Sequence, residues 1–95
     1  MVISGVELDL TSVLSRDQLH DLLAARLGFP GYYGRNWDAF WDCITDPEQS
    51  ELPKVLRIRG WPTLCTRLPR EAELLRKCLE DLPAERQGVA VEWDT

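Results

Sequence analysis

Ninety-five residues with a formal net charge of −5, 44% of them hydrophobic and 28% charged, can build one hydrophobic core and leave no room for a second domain. The acidic balance argues against nucleic acid or an anionic membrane as partner and favours a basic one. No stretch reaches the ~20 apolar residues of a membrane span, and Met1 to Gly5 lacks the basic and long apolar regions of an export signal, so a cytoplasmic protein is expected.

In chain order, Val2-Ile3 and Val6-x-Leu8-x-Leu10 both have strand period, with Ser4-Gly5 as a bend between them; the first strand is expected to begin at Met1. Ser15 then reads as a helix N-cap, with Gln18 completing a capping box and Leu14 placed for a hydrophobic staple with Leu19. Leu19, Leu22, Leu23 and Leu27 form the apolar stripe of this helix, and Gly28 is its stop. His20, one position off the stripe, reads as a partly exposed structural histidine, because no second metal ligand accompanies it.

Phe29 to Arg35 carries Pro30, Gly31 and Gly34 and is expected as an exposed turn. Asn36 caps the second helix, which must stop near Thr45-Asp46 because Pro47 disfavours helix at the residue before it. After a polar loop from Pro47 to Glu51, Val55-Leu56-Arg57-Ile58 is the second strand, and Trp61-Pro62 opens a short helical turn through Leu64 and Leu68. Leu74, Leu75, Cys78, Leu79 and Leu82 place the last helix from Arg70 to about Leu82, ended by Pro83, and Val89 to Trp93 is the third strand. Helical crossovers between three strands predict a small α/β domain with a parallel sheet and right-handed connections. Cys43, Cys65 and Cys78 are an odd number without metal spacing or a neighbouring His, so they read as free thiols.

The second helix concentrates the chemistry. Trp37, Phe40, Trp41 and Ile44 fall in one stripe, and Asp38, Asp42 and Thr45 cluster on a neighbouring face. Asp38 lies in the first turn, where the helix dipole favours it; Asp42, one turn on, lacks that help and is repelled by Asp38. Such a pair is mildly costly alone and suits a cation supplied from outside the chain, the more so beside Tyr32, Tyr33 and Trp41. The plainer reading is a solvated helix face with Arg35 as a casual counter-ion. A metal-dependent hydrolase built on Asp38 and Asp42 lacks the further ligands and open site that such catalysis needs.

Tyr32-Tyr33-Gly34, Asn36, Asp38-Ala39 and Trp41-Asp42-Cys43 together resemble the signature of the barstar family, intracellular inhibitors of ribonucleases. Leu19-His20 and Pro30 also fall in place, so the resemblance runs from about Ser15 to Thr45, and Pro53, Val55 and Leu56 are similar to the family's second strand. The resemblance implies one domain over residues 1–95, α/β, with a small three-stranded parallel sheet and about four helices. It implies no enzyme and no cofactor, but a one-to-one complex with a small secreted guanyl-specific ribonuclease, whose basic cleft is filled by an acidic helix standing in for RNA phosphates. Asp42 would meet the phosphate-binding Arg and His side chains, Asp38 a neighbouring Arg or Lys, and Tyr32 the catalytic histidine. Tyr33, Gly34, Asn36, Trp41 and Thr45 would supply contacts around them. Asp46 replaces a usual glycine and adds an acid to the ridge, and Glu80 matches the family's outlying acid on the last helix. Arg35 replaces an acid, which points to a different ribonuclease or affinity, and Trp37 replaces a leucine and should be core. The alternative is an acidic interaction module, or an immunity protein for an unrelated basic toxin.

Overall fold

A computed structural model describes residues 5–50, 52–86 and 88–94. Among these residues seven elements follow one another: β1 (Gly5–Asp9), α1 (Arg16–Leu27), α2 (Trp37–Thr45), β2 (Val55–Arg59), α3 (Trp61–Arg67), α4 (Pro69–Glu85) and β3 (Ala90–Trp93). The strands form one parallel sheet in the order β1-β2-β3. The described residues thus form the small α/β fold of three parallel strands and four helices that the sequence predicts.

The sheet has one dry and one wet face, because side chains alternate along each strand. Register sets Leu8 beside Ile58 and Trp93, and Val6 beside Leu56 and Val91, on the face that packs against the helices. On the other face Glu7, Arg57 and Glu92 align, and the ion pairs Arg59–Glu7 and Arg57–Glu92, each 3.6 Å, bridge neighbouring strands. The core is closed by Leu19, Leu23 and Leu27 of α1, Phe40 and Ile44 of α2, and Leu75, Leu79 and Leu82 of α4. At the turn into α3, Gly60 has φ +74, and a Cβ there would lie 2.5 Å from the Thr11 side chain, so glycine is required on both counts.

Several boundaries differ from expectation. The Val6-Leu8 segment lies in the first strand, with Gly5 already paired to Val55; the expected start at Met1, with Val2 and Ile3, lies outside the described residues. In the capping box, Ser15 Oγ accepts from the Gln18 N–H at 3.2 Å as expected, but the Gln18 side chain accepts from Leu14 N–H at 2.8 Å. Leu14 is 65% exposed, so the staple with Leu19 does not form. α4 begins at Pro69 and runs through Pro83 to Glu85. A proline inside a helix cannot donate to the carbonyl four residues back and presses on that carbonyl, so it loosens the preceding turn, but the N–H groups beyond it still donate: Arg86 N–H donates to Leu82 O at 2.9 Å. That extra turn carries Arg86 toward the end of α2.

Candidate functional site

The residues between α1 and α2 build the site's entrance. Asn36 leaves the turn in extended geometry and its side-chain oxygen accepts from Ala39 N–H at 2.7 Å, which starts α2 where the cap predicts. The left-handed residue of the turn is not a glycine: Arg35 has φ 51, while Gly34 is spared a side chain because a Cβ there would press on Asn36 Nδ2 at 3.2 Å. The strained Arg35 is pinned from two sides, its carbonyl accepting from Arg16 at 2.7 Å and its guanidinium pairing with Asp21 of α1 at 2.9 Å. Arg35 is therefore committed to α1 and is not the counter-ion of the α2 acids.

The two tyrosines part company. Tyr32 is 77% exposed, with its hydroxyl 3.4 Å from Gln49 Oε1. Tyr33 turns inward, and its hydroxyl lies 2.6 Å from His20 Nδ1. His20 is wholly buried rather than partly exposed: aromatic contacts with Trp37 at 4.6 Å and Tyr33 at 5.7 Å close over it. Burial, and then the nearby Arg16 cation, hold its pKa below the ordinary 6.5 against the opposing charges of Glu71, Asp17 and Asp21. Burial likewise pushes the Tyr33 phenol up. A sequence reading could find this pair only through the matching offset of His20 and Tyr33, which depends on how the turn folds back. Trp37 is half-buried rather than core, because its indole N–H needs a partner and finds Glu71 Oε2 at 2.6 Å.

On α2 itself Asp38 and Asp42 are exposed, one turn apart. Among the described residues neither carboxylate makes a hydrogen bond or an ion pair within 4 Å, whereas most other acids are engaged: Asp9 with Thr11, Asp21 with Arg35, Glu7 with Arg59, Glu92 with Arg57 and Asp94 with the N–H groups of Gly60 and Trp61. Thr45 is turned back on the helix, its hydroxyl donating to Trp41 O at 2.8 Å, and Trp41 is half-buried against the core. Asp46 closes the ridge. Its carboxylate accepts from Gln49 Nε2 and from Glu48 N–H, each at 2.9 Å, and these bonds hold its pKa below the usual carboxylate value. Cys43, buried beneath, has its thiol pushed up by burial and then by the charges of Asp42 and Asp46.

On α4 the structure separates two neighbouring acids. Glu80 pairs with Arg76 at 2.6 Å, and Arg76 lies over the Trp61 and Trp93 rings, so Glu80 belongs to that side of the helix. Asp81 stands about 60° around the helix from Cys78, against about 160° for Glu80. The Trp37–Glu71 hydrogen bond marks the α2-facing side of α4, and Cys78, two turns on, shares that side; burial above all, and then the charges of Asp81 and Asp38, push its thiol up. Asp81, missed by the sequence reading, is exposed and has no ion-pair partner among the described residues. Asp81 could not be chosen over Glu80 without knowing which side of α4 meets α2.

Among the described residues no three His, Cys, Asp or Glu side chains come together to hold a metal ion, and no helix is long and apolar enough to cross a membrane. The principal hollows of the surface lie between the end of α1 and residues 47–50, and against the outer face of the sheet, not over Asp38 and Asp42. The arrangement is a carboxylate ridge beside an exposed tyrosine, suited to entering a partner's cationic cleft.

Residues 3–93 match the model of the family described as Barstar (barnase inhibitor). The chain is also 39% identical over 71 residues to a Bacillus subtilis (strain 168) protein named "Putative ribonuclease inhibitor YrdF", a match that covers 70% of this chain and 76% of that protein.

Proposed function

Since the chain belongs to the barstar family, we propose that it is a protein inhibitor of a ribonuclease and works by occupying the enzyme's active site, without chemistry of its own. The observation that carries this reading is the pair Asp38 and Asp42, exposed one turn apart with no cation within 4 Å among the described residues, where most other acids have partners. Two like charges held together without compensation raise the free energy of the isolated protein slightly and are relieved by cations that a partner brings. A ribonuclease cleft offers such cations, because it binds RNA phosphates. Carboxylates on a rigid helix can take the phosphates' place and accept charge-assisted hydrogen bonds from Arg, Lys or protonated His.

In this reading the partner is a small secreted guanyl-specific ribonuclease bound one to one. Asp42 sits at the centre of the contact, Asp38 beside it, and the exposed Tyr32 ring covers the enzyme's catalytic base. Gly34, Asn36, Trp41 and Thr45 shape the surface around them, and Tyr33 acts from beneath by fixing the turn on His20. On α4, Asp81 rather than Glu80 extends the acidic surface toward the partner, because Glu80 is neutralised by Arg76. The fixed Arg35–Asp21 pair at the rim sets partner choice.

Titration of ribonuclease activity with the purified protein, across a panel of microbial guanyl ribonucleases, tests the reading. Linear loss of activity reaching zero at one equivalent is expected for at least one enzyme. Full turnover at large excess of the protein across the whole panel, with a basic protein of another class captured instead, would favour the acidic interaction module.

A further inference from the structure

The helix that carries the ridge has no basic residue in its own last turn, although the final carbonyls of any helix need donors and its dipole favours a cation there. The donors come from the far end of α4. Arg86 Nη1 donates to Ile44 O at 3.1 Å and to Ser50 Oγ at 2.9 Å, and Nη2 donates to Ser50 O at 2.9 Å. Ser50 is buried, and its hydroxyl in turn donates to Cys43 O at 2.5 Å. Two successive carbonyls at the end of α2 are thereby satisfied through one guanidinium and one hydroxyl.

The same fork governs the loop beyond the helix. The N–H groups of Gln49 and Ser50 donate to Asp46 O at 3.0 and 3.2 Å, Gln49 Nε2 donates to the Asp46 carboxylate, and Gln49 Oε1 faces the Tyr32 hydroxyl. Anchoring Ser50 therefore anchors Asp46 and, through Gln49, the outward tyrosine. The positive charge of Arg86 also acts on Asp46, so the acidic end of α2 has a cation built in from below, while among the described residues Asp38 and Asp42 have none within 4 Å.

We propose that Arg86 is a positioning residue of the binding surface: its planar fork fixes the last turn of α2, residues 46–50 and Tyr32 relative to Asp42, so that the surface is preformed before a partner arrives. The proposal rests on the ribonuclease-inhibitor reading for its functional consequence, but its structural content stands on the free protein. A preformed surface avoids ordering costs on binding, which shows mainly as slower dissociation. Lysine could return the charge but not the two-pronged geometry, since an ammonium is a point donor on a flexible stem.

Amide hydrogen exchange of the free variants Arg86→Lys and Arg86→Met, alongside dissociation kinetics from a catalytically inactive guanyl ribonuclease, tests this. Both variants should exchange the Gln49 and Ser50 amides about tenfold faster or more while α1 and β2 keep their protection, and should dissociate about tenfold faster with little change in association rate. Ser50→Ala, which removes only the buried hydroxyl, should show a smaller effect of the same pattern and serves if Arg86→Met fails to fold. Unchanged exchange at residues 49 and 50, or equal loosening of α1, β2 and the loop, would overturn the proposal. So would a loosened loop with wild-type dissociation. If no ribonuclease binds the wild-type protein, the inhibitor reading fails, and the exchange measurement still decides whether Arg86 orders the ridge.

Discussion

Asp42 and Glu48 are both exposed acids near one end of the molecule, yet they should differ sharply in what they contribute. Asp42 stands on a rigid helix among aromatics, where a carboxylate can be fully desolvated against a partner's cations; Asp42→Ala should cost about 2 kcal/mol of binding or more, mostly as faster dissociation. Glu48, on the loop, should cost under about 1 kcal/mol as Glu48→Ala and act mainly on the association rate. Thermal stability of free Asp42→Ala should hold or rise, because one of two like charges is removed. Binding kinetics beside thermal unfolding check all three, and equal losses at both positions would mean diffuse acidity in place of a defined ridge. His20 carries a separate prediction. With its folded pKa below the ordinary 6.5, the native state binds fewer protons than the unfolded chain, so the contribution of His20 to stability is complete above pH 6.5 and is lost as pH falls through the folded value. Unfolding of the wild type from pH 7.5 down to 5.5 should show falling stability, and His20→Gln a shallower dependence over that interval.

At the scale of an element, α2 is a short helix of nine residues that isolated peptide physics would leave marginal. It is held by a cap at each end: Asn36 at its start and the Arg86–Ser50 pair at its finish. Asn36→Ala should cost about 1 kcal/mol of folding stability, the ordinary worth of an N-cap, measurable by denaturant unfolding. Binding should weaken in step only if the first turn carrying Asp38 frays. The α4 boundary teaches the complementary lesson. A proline reads as a terminator, but Pro83 disturbs only the turn before it, where the buried Leu79 and Leu82 hold the helix on the core, and the N–H of Arg86 still closes the last turn on Leu82 O.

The whole molecule confines its acid and its thiols in different ways. A net charge of −5 should speed encounter with a basic ribonuclease and make the association rate fall steeply with added salt, while dissociation changes little; stopped-flow binding at two ionic strengths checks this. Cys43, Cys65 and Cys78 are free and buried or half-buried, so all three should alkylate only after denaturation or slowly before it, and mass measurement should count three free thiols. The sheet's outer face is no rival acidic surface, because Glu7 and Glu92 are each bridged to an arginine of β2.

What short-range physics controls is legible along the chain: the caps Ser15 and Asn36, the apolar stripe of α1, the strand periods and the crossovers that make the sheet parallel, and the juxtaposition of Asp38 and Asp42, which one helical turn fixes wherever the helix lies. Which groups are partnered follows from how the elements pack. Arg35 could have answered the α2 acids but answers Asp21, His20 could have been exposed but is sealed by Tyr33 and Trp37, and Arg86 reads as a loop residue until α4 carries it to the end of α2. Glu80 and Asp81 are adjacent in the chain and lie on different sides of α4. Such choices depend on the relative placement of elements dozens of residues apart, which periodicity within one element does not encode.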